Sequence, residues 1–141
     1  MRAVLQRAKR ASVTVEGEVT ASFDSQGIVA LVGATHEDGP DQVTTIARKI
    51  AELRILDDEK SVSDVNAPVI VVSQFTLYAD VRKGRRPSWN GAAAGPVAEP
   101  LVDAVVAALR ERGLTVGTGI FGAMMDVELV NDGPMTILVE A

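Results

Sequence analysis

The chain has 141 residues, 47% hydrophobic and 23% charged, a balance that fits one soluble domain, residues 1–141, around a single core. It contains no cysteine and one histidine, His36. Disulfides, thiolate nucleophiles and sites needing cysteine or several imidazoles are therefore excluded within one chain, while an all-carboxylate magnesium site stays open. The net charge of -5 is unevenly spread: residues 1–10 and residues 82–86 each carry +4, and the rest carries -13. Such patches on an acidic body suit contact with RNA at one place, and equally suit two solvated loops.

In chain order, residues 3–23 alternate loosely between apolar and polar, with Glu16-Gly17 between Val15 and Val19, which predicts a hairpin. GIVALV (27–32) is a short β-branched run bounded by glycines, a buried strand. Pro40 opens a helix in which Val43, Ile46, Ala47, Ile50 and Leu53 recur at spacings of three and four. Residues 57–68 read as a polar loop, and VIVV (69–72) as a buried strand running directly into Ser73-Gln74-Phe75-Thr76. Residues 80–96 hold a basic cluster among glycines and prolines and predict a long surface loop, which is uncommon unless it binds something or closes over a site. A second helix follows and stops at Gly113, with Pro100 expected in its first turn or just before it. Strands are expected at 114–116, 125–129 and 137–139, with Asn131-Asp132-Gly133-Pro134 as the turn between the last two. The sum is an α+β domain with a largely antiparallel, barrel-like sheet and two helices.

Three features compete as chemistry. Ser73-Gln74-Phe75-Thr76 puts hydroxyls, an amide and backbone N–H groups where a buried strand ends, a place to stabilise an oxyanion or simply to satisfy backbone groups. Gly133-Pro134 is either an ordinary turn or a cis bond aiming its carbonyls where a trans peptide does not. In the loop from Arg82 to Trp89, cations flank an aromatic ring that can stack on a base or anchor the loop. His36 is a candidate base, but no G-x-S-x-G motif accompanies it, so it reads as a loop residue. Gly117-Thr118-Gly119 lacks the strand-turn-helix context of a dinucleotide site.

Taken together, Ser73-Gln74-Phe75-Thr76-Leu77, Arg86-Pro87-Ser88 and Asn131-Asp132-Gly133-Pro134-Met135-Thr136 resemble the D-aminoacyl-tRNA deacylases. Gln6-Arg7, Ala11-Ser12-Val13 and Gly119 with Phe121-Gly122-Ala123-Met125 are similar as well, so the likeness spans most of the chain. The resemblance implies a small homodimer, with no metal and no other cofactor, that acts on the 3′ end of aminoacyl-tRNA and removes D-amino acids and mischarged glycine; the want of a signal-peptide-like or membrane-length apolar run makes the cytoplasm the expected compartment. The resemblance implies that Ser73, Gln74, Phe75 and Thr76 line the site. It also implies that Gly133-Pro134 is cis and enters the partner subunit's pocket, and that Arg7 helps hold that motif. Arg82, Lys83, Arg85 and Arg86 are then candidates for tRNA contact.

On that reading a fixed backbone collides with an L side chain and spares a D one, while glycine passes for want of a side chain. Thr76 is a candidate nucleophile with no histidine or lysine beside it in sequence; the other route uses the ribose 2′-hydroxyl and N–H groups near Phe75 and Thr76. Trp89 and Met135 depart from the family's usual phenylalanine and valine, and Ser61 to Ala67 departs from an asparagine-rich pattern. The rival readings are an RNA-binding module that cleaves nothing and a scaffold dimer in which 131–136 is only an interface turn.

Overall fold

A computed structural model describes all residues, 1–141. The spine is β1 (Arg2–Val15), which turns at Glu16-Gly17 into β2 (Glu18–Phe23), as the alternation predicts. Gly17 has φ +81°, a left-handed conformation that glycine adopts without Cβ strain. The next strand, β3 (Gly27–Gly33), pairs antiparallel with the first half of β1, and β2 with the second half. Beyond it lie β4 (Val69–Ser73) and β5 (Val116–Thr118), each parallel to its neighbour. The last strand, β6 (Asp126–Glu140), runs antiparallel along the whole of β1. The sheet is thus antiparallel around β1 and parallel across β3, β4 and β5.

At Gly117 of β5 an added Cβ would meet the Ala21 Cβ of β2 at 2.7 Å. The small residues let these outer strands approach, so the sheet nearly closes on itself, in keeping with the expected barrel-like form.

Helix α1 (Pro40–Glu52) and helix α3 (Gly95–Glu111) pack together on one face of the sheet. Ile46, Ile50, Val105 and Leu109 meet Leu5, Ile28, Val69 and Val71 in the main core, and each is 1% exposed or less apart from Val71 at 2%. Burial of one such side chain contributes about 1.5 to 3 kcal/mol. On the opposite face, Val29, Ile70 and Val72 join Ala8, Val13 and Ala21 in a second cluster. Because β4 is covered on both faces, it reads as an unbroken apolar run rather than an alternation.

Three expectations are corrected. The first concerns 57–68, which contains a 3-10 turn (Asp57–Glu59) and a one-turn helix α2 (Val62–Val65) where a plain loop was expected, giving three helices rather than two. The Ser61 hydroxyl accepts from the Asp64 N–H at 3.1 Å and the Asp64 carboxylate accepts from the Ser61 N–H at 2.9 Å, two bonds that lower the Asp64 pKa and give this segment a structural role.

The second is that α3 begins at Gly95-Pro96, so Pro100 lies in its second turn. Proline there leaves the Pro96 carbonyl without an i+4 donor, and both residues are exposed, so water meets that group. The third is that Asn131-Asp132-Gly133-Pro134 is not a turn between two strands. Ala8 pairs with Asn131 and Gln6 with Thr136, so four residues, 132–135, stand opposite Arg7 alone as a wide bulge within one continuous β6.

Candidate active site

Where β4 leaves the sheet, Gly33 makes a sharp approach possible: a Cβ there would meet the Gln74 carbonyl at 2.7 Å and the Leu77 Cβ at 3.2 Å. The Gln74 N–H donates to the Val32 carbonyl at 2.8 Å, and the chain then turns through a 3-10 segment, Phe75–Tyr78. Arg2 braces that turn from β1. Its Nη1 donates to the Leu77 carbonyl at 3.0 Å, its guanidinium carbon lies 4.5 Å from the Tyr78 ring centroid, and its Nε donates to Glu140 at 2.7 Å. Burial, with Asp38 nearby, pushes the Tyr78 phenol up to about 12.

The turn forms one wall of a cleft of about 560 Å³. Ser73, Gln74 and Phe75 line it with Trp89, Ala92 and Ala93, and the opposite wall is the segment from Phe121 to Met125. Phe75 and Trp89 stand edge to face, ring centroids 5.2 Å apart, so the tryptophan anchors the basic loop at the rim through an aromatic pair. Met124 caps the far rim at 92% exposure. A lining of small residues interspersed with apolar side chains suits a ligand with a variable side group and little charge.

Thr76 does not line the cleft; its hydroxyl oxygen accepts from the Gln74 side-chain amide. No carboxylate, lysine or imidazole is bonded to it. His36 lies in the loop after β3, where its Nε2 donates to the Asn90 carbonyl at 2.7 Å and the Thr35 hydroxyl donates to the Gly91 carbonyl. These bonds hold the 88–93 segment against the end of β3, so His36 is a loop residue as expected. The N–H groups of Phe75 and Thr76 open the 3-10 turn, where the first N–H groups have no acceptor within the turn itself.

The basic loop projects from the same rim. Asp80 and Ser88 exchange both backbone hydrogen bonds, at 2.8 and 2.9 Å, so residues 81–87 form the tip of an arm. Arg82 forks onto the Asp80 carboxylate at 2.9 and 2.7 Å, which holds that carboxyl down at about 2 and raises the guanidinium's own pKa. Of the four cations, Lys83, Arg85 and Arg86 remain unpaired and exposed at the tip.

Gly133, Pro134 and Arg7 come together elsewhere. The Gly133-Pro134 peptide is cis, and both residues are exposed on the bulge of β6. Arg7, its side chain 13% exposed, donates from Nε to the Asp132 carbonyl at 2.9 Å and from Nη1 to the Ile55 carbonyl at 2.9 Å. Asn131 bridges across the neck of the bulge, donating to the Arg7 carbonyl at 2.9 Å and the Met135 carbonyl at 3.3 Å. The bulge is therefore pinned on both flanks.

Within one chain this bulge is remote from the Ser73–Thr76 turn, although Val127 at the start of the same strand lines the cleft. Arg7 pairs with Ile28 and Ser73 with Val32, and β1 and β3 lie between β6 and β4. At about 3.3 Å per residue along the strands and about 4.8 Å between them, the two motifs are roughly 20 Å apart. Among the cleft residues, Phe121 to Met125, Ala92 and Ala93 were not anticipated as site residues. Their signal was family likeness for the former and small size for the latter.

The family model described as D-Tyr-tRNA(Tyr) deacylase matches residues 4–140. A D-aminoacyl-tRNA deacylase of Kineococcus radiotolerans is 66% identical over 141 residues, covering the whole of both chains. One of Beutenbergia cavernae is 64% identical, again over all of both chains. Among solved structures, the c-Myc DNA Unwinding Element Binding Protein is similar, with a TM-score of 0.91 and 39% identity over 100% of this chain and 99% of that one.

Proposed function

Because this chain belongs to the D-Tyr-tRNA(Tyr) deacylase family, we propose that it hydrolyses the ester joining a D-amino acid to the 3′-terminal ribose of tRNA. Water forms the new carbon–oxygen bond at the acyl carbon, the bond to the ribose oxygen breaks, and that oxygen takes up a proton. The observation that carries this reading is the cleft at the end of β4, lined by Ser73, Gln74 and Phe75 beside Gly33, Ala34, Ala92 and Ala93, where the 3-10 turn begins with the N–H groups of Phe75 and Thr76. Donors fixed before the reaction stabilise an oxyanion without reorganising during it.

Thr76 is a poor nucleophile here, since its hydroxyl accepts from Gln74 and no base is bonded to it. The substrate's own 2′-hydroxyl is held next to the ester and orients the attacking water. This route calls for no metal and no other cofactor. Lys83, Arg85 and Arg86 at the tip of the arm meet the phosphates near the acceptor end, which puts the terminal ribose at the rim by Trp89. Arg82, braced on Asp80, shapes the arm instead.

Chiral selection is assigned to Gly133-Pro134. An exposed, pinned main-chain bulge is a surface against which an L side chain collides, while a D side chain points away and glycine offers nothing to collide. Because the bulge is roughly 20 Å along the sheet from its own Ser73–Thr76 turn, it serves the cleft of a second copy, and the enzyme is a homodimer. Two features favour that pairing: β6 is a long strand without a partner on its outer side, and Leu138 on it is 76% exposed. No helix is long and apolar enough to cross a membrane, and a tRNA substrate puts the protein's work in the cytoplasm.

The test is ester release from D-tyrosyl-, L-tyrosyl- and glycyl-tRNA. The D and glycyl esters are lost and the L ester is kept; equal loss of both enantiomers means a general esterase, and binding without release means an RNA-binding module. Thr76→Ala keeps D-ester hydrolysis within about tenfold of the parent, whereas removal of a true nucleophile costs on the order of 10⁴-fold or more.

A further inference from the structure

The bulge of β6 is held by more than Arg7 and Asn131. Gln26, in the turn between β2 and β3, donates its side-chain amide to the Asp132 carboxylate at 2.7 Å. Its side-chain carbonyl accepts the Asp57 N–H at 3.1 Å. Both ends of one half-buried amide are thus used, one on the residue directly before Gly133 and the other on the backbone of the segment that follows α1.

That segment is tied to the same place a second time, through the Arg7 bond to the Ile55 carbonyl. Arg7 and Gln26 therefore form two parallel struts between residues 55–57 and Asp132, Arg7 on its carbonyl and Gln26 on its carboxylate. With Arg7 alone, Asp132 is fixed at its main chain and its carboxylate, 3.5 Å from Arg7 Nε, is loosely held. The amide closes that remaining freedom, and a fork of two contacts on one residue fixes direction as well as position.

We infer that Gln26 is a positioning residue for stereochemical discrimination: it aims the Gly133-Pro134 bulge and touches neither the ester nor the cleft. This rests on the proposed chiral filter, and it adds to it a residue and a bracing segment. A filter that works by collision depends on stiffness. If the bulge yields, an L substrate is admitted while the D substrate, which never presses on it, reacts as before. The expected signature is selective, with a gain of L-ester hydrolysis at constant D-ester hydrolysis.

Gln26→Met keeps the length of the side chain and removes both hydrogen bonds, and Gln26→Arg restores a donor toward Asp132 only. D- and L-tyrosyl-tRNA hydrolysis are measured for the parent and both variants, with thermal unfolding midpoints alongside. A hydrogen bond to a charged group corresponds to about a tenfold or larger factor. Gln26→Met is therefore expected to raise L-ester hydrolysis about tenfold, with the D-ester rate within twofold, and Gln26→Arg to return most of the discrimination. The inference is overturned if Gln26→Met discriminates as the parent does, or if it loses D-ester and folding stability together without any gain toward the L ester. If the parent itself hydrolyses both enantiomers equally, the chiral filter has failed at its root, which is distinguishable because it is read before any variant is made.

Discussion

Two interruptions of regular strand, one at the end of β4 and one in the middle of β6, differ in almost every physical respect. The Ser73–Tyr78 turn leaves a strand buried on both faces and packs so closely on β3 that Gly33 has no room for a Cβ. The 132–135 bulge sits on an outer strand, exposed, and is held from behind by side chains of Arg7, Asn131 and Gln26. A turn locked by packing can present backbone donors to a reacting group. A protruding bulge locked by hydrogen bonds presents a fixed backbone surface to whatever meets it from outside. On the proposed function, chemistry belongs to the turn and selection to the bulge, and one copy holds both parts without bringing them together.

The largest effect is expected from breaking the bulge alone. Arg7→Ala removes two charge-assisted bonds and should destabilise the fold by about 2 kcal/mol. It should also raise L-ester hydrolysis by more than tenfold while D-ester hydrolysis changes little, which paired deacylation assays and a denaturant titration check. Damage to the turn should do the reverse. Gly33→Val drives a side chain into the Gln74 carbonyl and costs about 1 to 3 kcal/mol of packing. Hydrolysis of the D ester should then fall at least tenfold with no gain toward the L ester, a pattern read from kcat for both substrates.

Smaller effects belong to the arm beside the turn. Replacing Lys83, Arg85 and Arg86 together by glutamine should weaken tRNA binding and flatten the dependence of log Kd on log salt by about two, near 0.7 per lost contact on a single strand. Arg82→Gln should change that slope less, since its guanidinium is occupied by Asp80. The Asp80 carboxyl is depressed by Arg82, so the stabilisation it gives the arm is present above the ordinary carboxylate range and is lost as pH falls toward about 2. Across neutral pH the arm therefore keeps its shape.

The two regions also differ in how far sequence reasoning reached them. VIVV followed by Ser-Gln-Phe-Thr marks a buried strand ending in polar groups, because apolar runs and sudden polarity are local signals, and the structure has that strand. Pro40 and the three-and-four spacing likewise foretold α1. Asn131-Asp132-Gly133-Pro134 misled, because its composition is that of a hairpin turn, and only its pairing with β1 reveals a bulge in an unbroken strand. Pro100 misled for a related reason: the true helix start, Gly95-Pro96, was absorbed into the preceding loop. Gln26 gave no signal at all, since a glutamine near a turn looks like any solvated residue until its two partners are seen. The roughly 20 Å between turn and bulge is a property of strand order, which no local pattern encodes.

The most direct test mixes two damaged copies. In one, Ala123→Trp fills the cleft and leaves the bulge intact; in the other, Arg7→Ala loosens the bulge and leaves the cleft open. Alone, the first should be inactive and the second should hydrolyse both enantiomers. After co-expression and isolation of the mixed pair, the open cleft receives the intact bulge, so D-ester hydrolysis with rejection of the L ester is expected to return. If the mixed pair still hydrolyses both enantiomers as the Arg7→Ala copy does, the bulge does not act across subunits and the account is wrong.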